Sequence, residues 1–336
     1  MKKLISALSI VSVLLISACS QDVQLPISPD IQDTTVSSLA KKKNSVRTDW
    51  YESLRPDLKT YYADAKGKTG SQLFDSLRQI ISKGYKTFSY QESKSYMYAV
   101  VDNVKVNGKS GIIDAYSGVF IPGSGGNGNL YKEAGDQNKD GDQGDFINCE
   151  HTWPQSFFEK QEPMVSDLNH MQSTLSQPNE MRGHRPFGTT EGKGVIPYTS
   201  LGSKLHVVDI TGKNRSAEEV RKILALPYEQ SSKIMDTEFK AEFEPYDSQK
   251  GNTARCMLYF YLKYSGPAIK KGEFDQQEFW NSKVAMFTNW SEQVDPVNAQ
   301  DLTRNDLVQK KQGNRNPFID IPNLASIIGE DVLKSK

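Results

Sequence analysis

Three runs between residues 147 and 188 concentrate the side chains able to do chemistry. The first, Ile147-Asn148-Cys149-Glu150-His151-Thr152-Trp153-Pro154, sets a carboxylate next to an imidazole. The second, Asp167-Leu168-Asn169-His170-Met171, adds an acid and another histidine. The third carries Asn179, Arg182, His184 and Arg185. These segments hold three of the chain's 4 histidines. A neutral imidazole takes a proton from water near neutral pH, because its unperturbed pKa is about 6.5. Oxygen ligands hold a hard divalent cation that keeps several waters. Such a cation neutralises charge developing on a phosphate and on its leaving oxygen. An arginine grips a phosphate through its planar fork. Together these parts suit metal-assisted cleavage of a phosphodiester. They do not suit a zinc protease, which needs His-Glu-x-x-His, whereas Glu150 precedes His151.

The elements that must position these groups read as strand, loop, strand, helix. Residues 146–152 form the first expected strand and 167–172 the second. Ser176 is placed to N-cap a helix with Pro178 in its first turn. Asn179 and Arg182, three apart, then share a helical face. Neighbours on a strand face opposite sides, so Glu150 and His151 meet one site only where the strand ends or twists. Elsewhere, Leu73, Leu77, Ile80 and Ile81 recur at helical spacing and predict a helix over 70–82. Residues 95–119 read as strands, 122–145 as a long loop and 204–211 as a strand. A short helix is expected from Ser216 to Leu226, a buried one over 252–264, another over 275–290 and a short one at the end. Arg255, inside an apolar helix, is expected to pair with a buried acid. Trp153 is expected to pack, and His170 and His184 to hydrogen-bond rather than react. The reading is a single α+β domain over 47–336.

The chain has 336 residues, with Lys+Arg and Asp+Glu both 41, so a polybasic binder is excluded. Any nucleic-acid contact needs a local patch, for which Arg182, Arg185, His184, Lys310, Lys311 and Arg315 are the candidates. Contact of that kind is salt-dependent and blind to base identity. Lys2 and Lys3 precede an apolar run over 4–16, too short for a membrane span of roughly 20 residues. Residues 20–46 are polar and read as a tether. Cys149 and Cys256 are compatible with a disulfide or with two buried thiols. Asp136, Asn138, Asp140 and Asp142 space their oxygens like a calcium loop with Gly141 at its sixth position. The twelfth position is Ile147 rather than Glu, so a bound structural Ca2+ and a solvated acidic loop both stand.

Two resemblances add to this. Ile16-Ser17-Ala18-Cys19 resembles a bacterial lipobox, which implies removal of residues 1–18, lipid on Cys19 and a tether over 19–46. Ser20 after that cysteine favours the outer membrane or cell surface, reached through the lipid anchor alone. The catalytic segment resembles the bacterial endonuclease I family, of the His-Me finger (ββα-metal) type. The match rests on Glu150-His151-Thr152-Trp153-Pro154, on Asp167-Leu168-Asn169-His170-Met171, and on Asn179 with Arg182. It extends to Tyr61-Tyr62, Gly67-Lys68-Thr69-Gly70, Ala254-Arg255 with Tyr259 and Tyr264, and Gly313-Asn314-Arg315-Asn316-Pro317-Phe318-Ile319-Asp320. Asn169 stands where the family usually has His. The resemblance implies a mainly helical domain around the ββα core. It implies His151 as general base, Glu150 and Asn179 as ligands of Mg2+ (or Mn2+ or Ca2+), and Arg182 on a phosphate. The substrate would be DNA, and RNA as well, cut with little sequence preference to leave 5′-phosphates, by a monomer. The contrasting reading is a non-catalytic surface lipoprotein that binds nucleic acid or another polymer.

Overall fold

The computed structural model describes residues 50–122 and 147–336. The lipobox with Cys19 and the Asp136–Asp142 loop therefore lie outside the described residues. In chain order the helices are α1 (Pro56–Tyr61), α2 (Gly70–Ser82), α3 (Tyr90–Tyr96), α4 (Ser176–Arg182), α5 (Ala217–Leu224), α6 (Tyr228–Glu238) and α7 (Asp247–Tyr264). They continue with α8 (Val284–Asn289), α9 (Ala299–Gln312), α10 (Pro317–Asp320), α11 (Leu324–Ile328) and α12 (Glu330–Ser335). The strands are β1 (Val104–Val106), β2 (Lys109–Ile113), β3 (Phe120–Pro122), β4 (Ile147–His151), β5 (Met171–Leu175), β6 (Val195–Ser200), β7 (Ser203–Asp209) and β8 (Phe239–Glu244). They form three small antiparallel sheets, β1-β2-β3, β4-β5 and β6-β7-β8. The α+β expectation, mainly helical, is met.

The core is built around α7. Ala254 and every residue from Met257 to Leu262 are fully buried, so this helix is enclosed on all sides rather than amphipathic. Trp153, just past β4, stacks on Phe260 at 5.3 Å between ring centroids and meets Phe279 edge-on at 5.0 Å. Its indole donates to the Ile269 carbonyl at 3.1 Å. The end of β4 is thus riveted to the α7 core by one large side chain whose polar atom is satisfied. Arg255, with no exposed surface, donates to Asp301 on α9 at 2.9 Å, the buried acid the sequence called for.

Where element boundaries differ from expectation, the reasons are local. The second catalytic strand does not start at Asp167 but at Met171. Asp167 accepts from the Asn169 amide at its own Oδ1 (3.0 Å), and its carbonyl accepts from the His170 and Met171 amides. An Asp that bonds its own downstream backbone makes a turn, not a strand. β4 and β5 then pair from Ile147↔Leu175 to His151↔Met171. Ser176 begins α4 instead of capping it, with Leu175 at the cap position. The region expected as strands over 95–119 first continues α3, whose cap is Ser89 accepting from Glu92, through a turn over Met97–Val101. The expected helix over 275–290 is broken into Gln276–Asn281, α8 and Trp290–Val294. β6, β8, α6 and α9 have no counterpart in the sequence reading.

Candidate active site

β4 ends at His151, and the last two residues of the strand take different partners. Glu150 turns toward α4. Its Oε1 accepts from Arg182 Nη1 at 2.9 Å, with both side chains almost wholly buried. The same nitrogen reaches the carbonyls of His151 (3.1 Å) and Gly183 (3.2 Å), and Nη2 reaches Thr152 O (2.5 Å). The guanidinium also lies over the Phe187 ring, 4.5 Å from its centroid. Arg182 is therefore spent on the carboxylate and on the strand end, and it is 1% exposed. Four hydrogen bonds of the guanidinium hold the carboxylate and three carbonyls in place, while its Nε has no partner among the described residues. Burial pushes the Glu150 carboxyl up to about 7 despite the pull of Arg182.

The imidazole of His151 takes its partner from the turn that precedes β5. Its Nε2 lies 2.8 Å from the Val165 carbonyl oxygen. A carbonyl only accepts, so Nε2 carries the proton and Nδ1 of the neutral ring keeps its lone pair. Nδ1 is buried with no partner among the described residues. Tyr90, Phe158 and His170 surround the ring, with centroids 5.5, 6.5 and 5.3 Å away. Burial, helped by His170, lowers the imidazole to about 3, so it is neutral at ordinary pH, as a base must be. His170 repeats the pattern, with Nε2 2.6 Å from Met164 O and a pKa lowered by burial to about 4. It hydrogen-bonds, as the sequence suggested.

Asn179 sits one helical turn before Arg182 on α4 and is half-buried. Its amide makes no side-chain hydrogen bond with the described residues. α4 packs on both β4 and β5, so Asn179 and Glu150 belong to one ββα unit. Their chemistry, one carboxylate and one amide oxygen, fits a hard cation that keeps most of its own waters. No group of three or more His, Cys, Asp or Glu gathers as a metal site among the described residues.

Some expectations are not brought together. Arg315 has no exposed surface and is bound by Asp320 and Asp306, and Lys311 pairs with Glu92 over the Phe88 ring. With Arg182 also buried, the six-residue basic patch does not form. His184 instead faces Asp236 at 3.7 Å. Cys149 and Cys256 are buried thiols not joined in a disulfide, which decides between the two readings. Burial raises Cys256 to about 11.

One constellation was missed. Asp167 Oδ2 accepts from Lys263 Nζ, Tyr259 OH and Tyr264 OH, each at 2.8 Å, and Oδ1 from Gln312 Nε2 at 2.8 Å. These partners are 92 to 145 residues away. The one signal for them was that α7 carries Lys263 and two tyrosines at one end of an apolar helix.

The sequence profile of the family described as Endonuclease I matches residues 69–206 and 211–323. An extracellular ribonuclease of Bacillus subtilis (strain 168) is 25% identical over 281 residues, 81% of this chain and 79% of that protein. An extracellular ribonuclease of Bacillus amyloliquefaciens is 25% identical over 282 residues, covering 81% and 78%. Both matched stretches of the family profile contain residues described above, from β4 and α4 to the α7 and α9 partners of Asp167.

Proposed function

Because the chain belongs to the Endonuclease I family, whose members are nucleases, we propose that it is a metal-dependent endonuclease with His151 as its general base. The carrying observation is the commitment of His151 Nε2–H to Val165 O, which leaves Nδ1 as a bare lone pair in a ring held neutral. Nδ1 takes a proton from the attacking water, the water oxygen bonds to phosphorus, and the bond to the 3′-oxygen breaks. The 3′-oxygen leaves with a proton from solvent, and the phosphate stays on the 5′ side. A divalent cation such as Mg2+, Mn2+ or Ca2+, held by Glu150 and Asn179, would stabilise the charge on the phosphate and the leaving oxygen. Arg182 keeps Glu150 and the end of β4 in place.

The substrate class is nucleic acid read through its backbone. The names of the relatives bring RNA in beside DNA. Export is supported by Lys2 and Lys3 ahead of the apolar run, by the lipobox at Cys19 and by the extracellular names of the relatives. Among the described residues no helix is long and apolar enough to cross a membrane. Lipid on Cys19 would then be the tether.

The test is digestion of plasmid DNA and of RNA by the chain without residues 1–19, with Mg2+, with EDTA, and with His151→Ala alongside. Cleavage abolished by EDTA and by the substitution is the expected result. A folded wild type that retards nucleic acid but cuts neither polymer with Mg2+, Mn2+ or Ca2+ would sink the enzyme reading in favour of a binding lipoprotein.

A further inference from the structure

We propose that Asp167, whose carboxylate is fully buried among protein donors, is the residue that sets the tautomer of the catalytic histidine. The role rests on the nuclease reading above for its link to catalysis.

The argument begins with what Asp167 holds. Its carboxylate is fully buried and gathers four side-chain donors, Lys263, Tyr259, Tyr264 and Gln312, plus the Asn169 amide. Three donors belong to α7, the most enclosed helix of the fold, and one to the last residue of α9. A carboxylate with this many donors is anchored at both oxygens. The turn it anchors, Met164 to His170, therefore cannot drift relative to α7.

That turn presents two consecutive carbonyls to two rings. Met164 O faces His170 Nε2 at 2.6 Å and Val165 O faces His151 Nε2 at 2.8 Å. Each carbonyl imposes the proton on Nε2 and exposes the lone pair at Nδ1. Both Nδ1 atoms are buried and unpartnered, so nothing else in the described structure selects the tautomer. If the turn shifts by about an ångström, the Val165 acceptor is lost and the His151 proton is free to move to Nδ1. A ring protonated at Nδ1 is no base toward a water on that side. Asp167 thus acts on the chemistry through backbone carbonyls, as a positioning residue.

The experiment compares wild type, Asp167→Asn, Tyr264→Phe and Asp209→Asn. Ring-nitrogen NMR of histidine reports the tautomer, and steady-state cleavage reports kcat and KM. Asp209→Asn removes the β7 carboxylate that pairs with Arg215 at 2.7 Å and serves as a matched destabilising change. Wild type is expected to show His151 as a single Nε2–H form. Asp167→Asn is expected to show mixed or averaged ring-nitrogen signals, with kcat down at least tenfold and KM within about twofold. Tyr264→Phe, which removes one donor and little volume, is expected to shift both readouts in the same direction by less. Asp209→Asn should lower Tm and leave the tautomer and kcat as in wild type. A folded Asp167→Asn that retains a single Nε2–H form with kcat within twofold overturns the proposal. If Asp167→Asn does not fold, Tyr264→Phe decides, and a wild-type tautomer and kcat there overturn it equally. If wild type cuts no nucleic acid, the nuclease reading fails, while the NMR signals still decide what Asp167 does.

Discussion

At the residue scale, Glu150 and His151 divide the labour at the end of β4. The carboxylate goes to α4 and the imidazole to the turn before β5, and Arg182 joins the two by holding Glu150 Oε1 and the His151 carbonyl with one nitrogen. His151→Ala should lower cleavage by roughly 10^2 to 10^4-fold, the range for general-base loss, with nucleic-acid binding retained. Gel retardation in EDTA beside cleavage in Mg2+ separates the two effects. Arg182→Ala is expected to cost about 3–5 kcal/mol, because it strands a buried carboxylate. Thermal unfolding checks this, since a phosphate-contacting arginine would raise KM and leave Tm alone. Arg182→Lys should not rescue it, as one ammonium cannot serve a carboxylate and three carbonyls in the same plane.

At the element scale, α9 was invisible to hydrophobic patterning yet secures the site. It is capped by Asn298, which accepts from the amides of Gln300 and Asp301. Its last residue, Gln312, reaches Asp167. Gly313 then ends it at φ +86°, where an added Cβ would lie 2.4 Å from the Gly84 carbonyl oxygen. Left-handed backbone and close approach both require glycine here. Gly313→Ala should destabilise by more than about 1 kcal/mol, and Asn298→Ala by about 1 kcal/mol. Chemical denaturation of the two variants would put them in that order. Equal or negligible losses would mean that α9 is not anchored at its C-terminal end.

At the scale of the whole molecule, buried titratable groups set the acid limit. His170 is lowered from 6.5 to about 4 and His151 to about 3, so the unfolded chain takes up those protons first. Their contribution is intact above pH 6.5 and falls away as pH drops below it. Glu150 works in the opposite sense, being raised from 4.5 to about 7, but it is one group against two. Asp167 is lowered from 3.8 to about 2, chiefly by Lys263 against the cost of burial, and adds a loss below pH 3.8. Each unbalanced proton is worth about 1.4 kcal/mol per pH unit. Metal-free protein should therefore lose Tm steadily from about pH 6.5 to pH 4, and more steeply below. A flat Tm between pH 7 and 4.5 would contradict the buried neutral histidines. With both thiols buried and not joined in a disulfide, reducing agent should leave Tm unchanged.

The sequence alone determined whatever is written in short-range pattern. The run around Glu150 and His151, the face shared by Asn179 and Arg182, the enclosed helix with its Arg255 and the α+β character all follow from spacing and residue type, and the family resemblance follows from the order of those motifs. Only the tertiary structure decided which cations are spent and which are available, because burial of Arg182 and Arg315 depends on partners that spacing does not reveal. It decided the thiols, since a disulfide depends on how two distant backbones approach. It decided the state of His151, whose tautomer is fixed by a carbonyl 14 residues on and, through Asp167, by groups 92 to 145 residues away. Local pattern specifies elements, whereas protons and charges answer to whatever the fold packs against them.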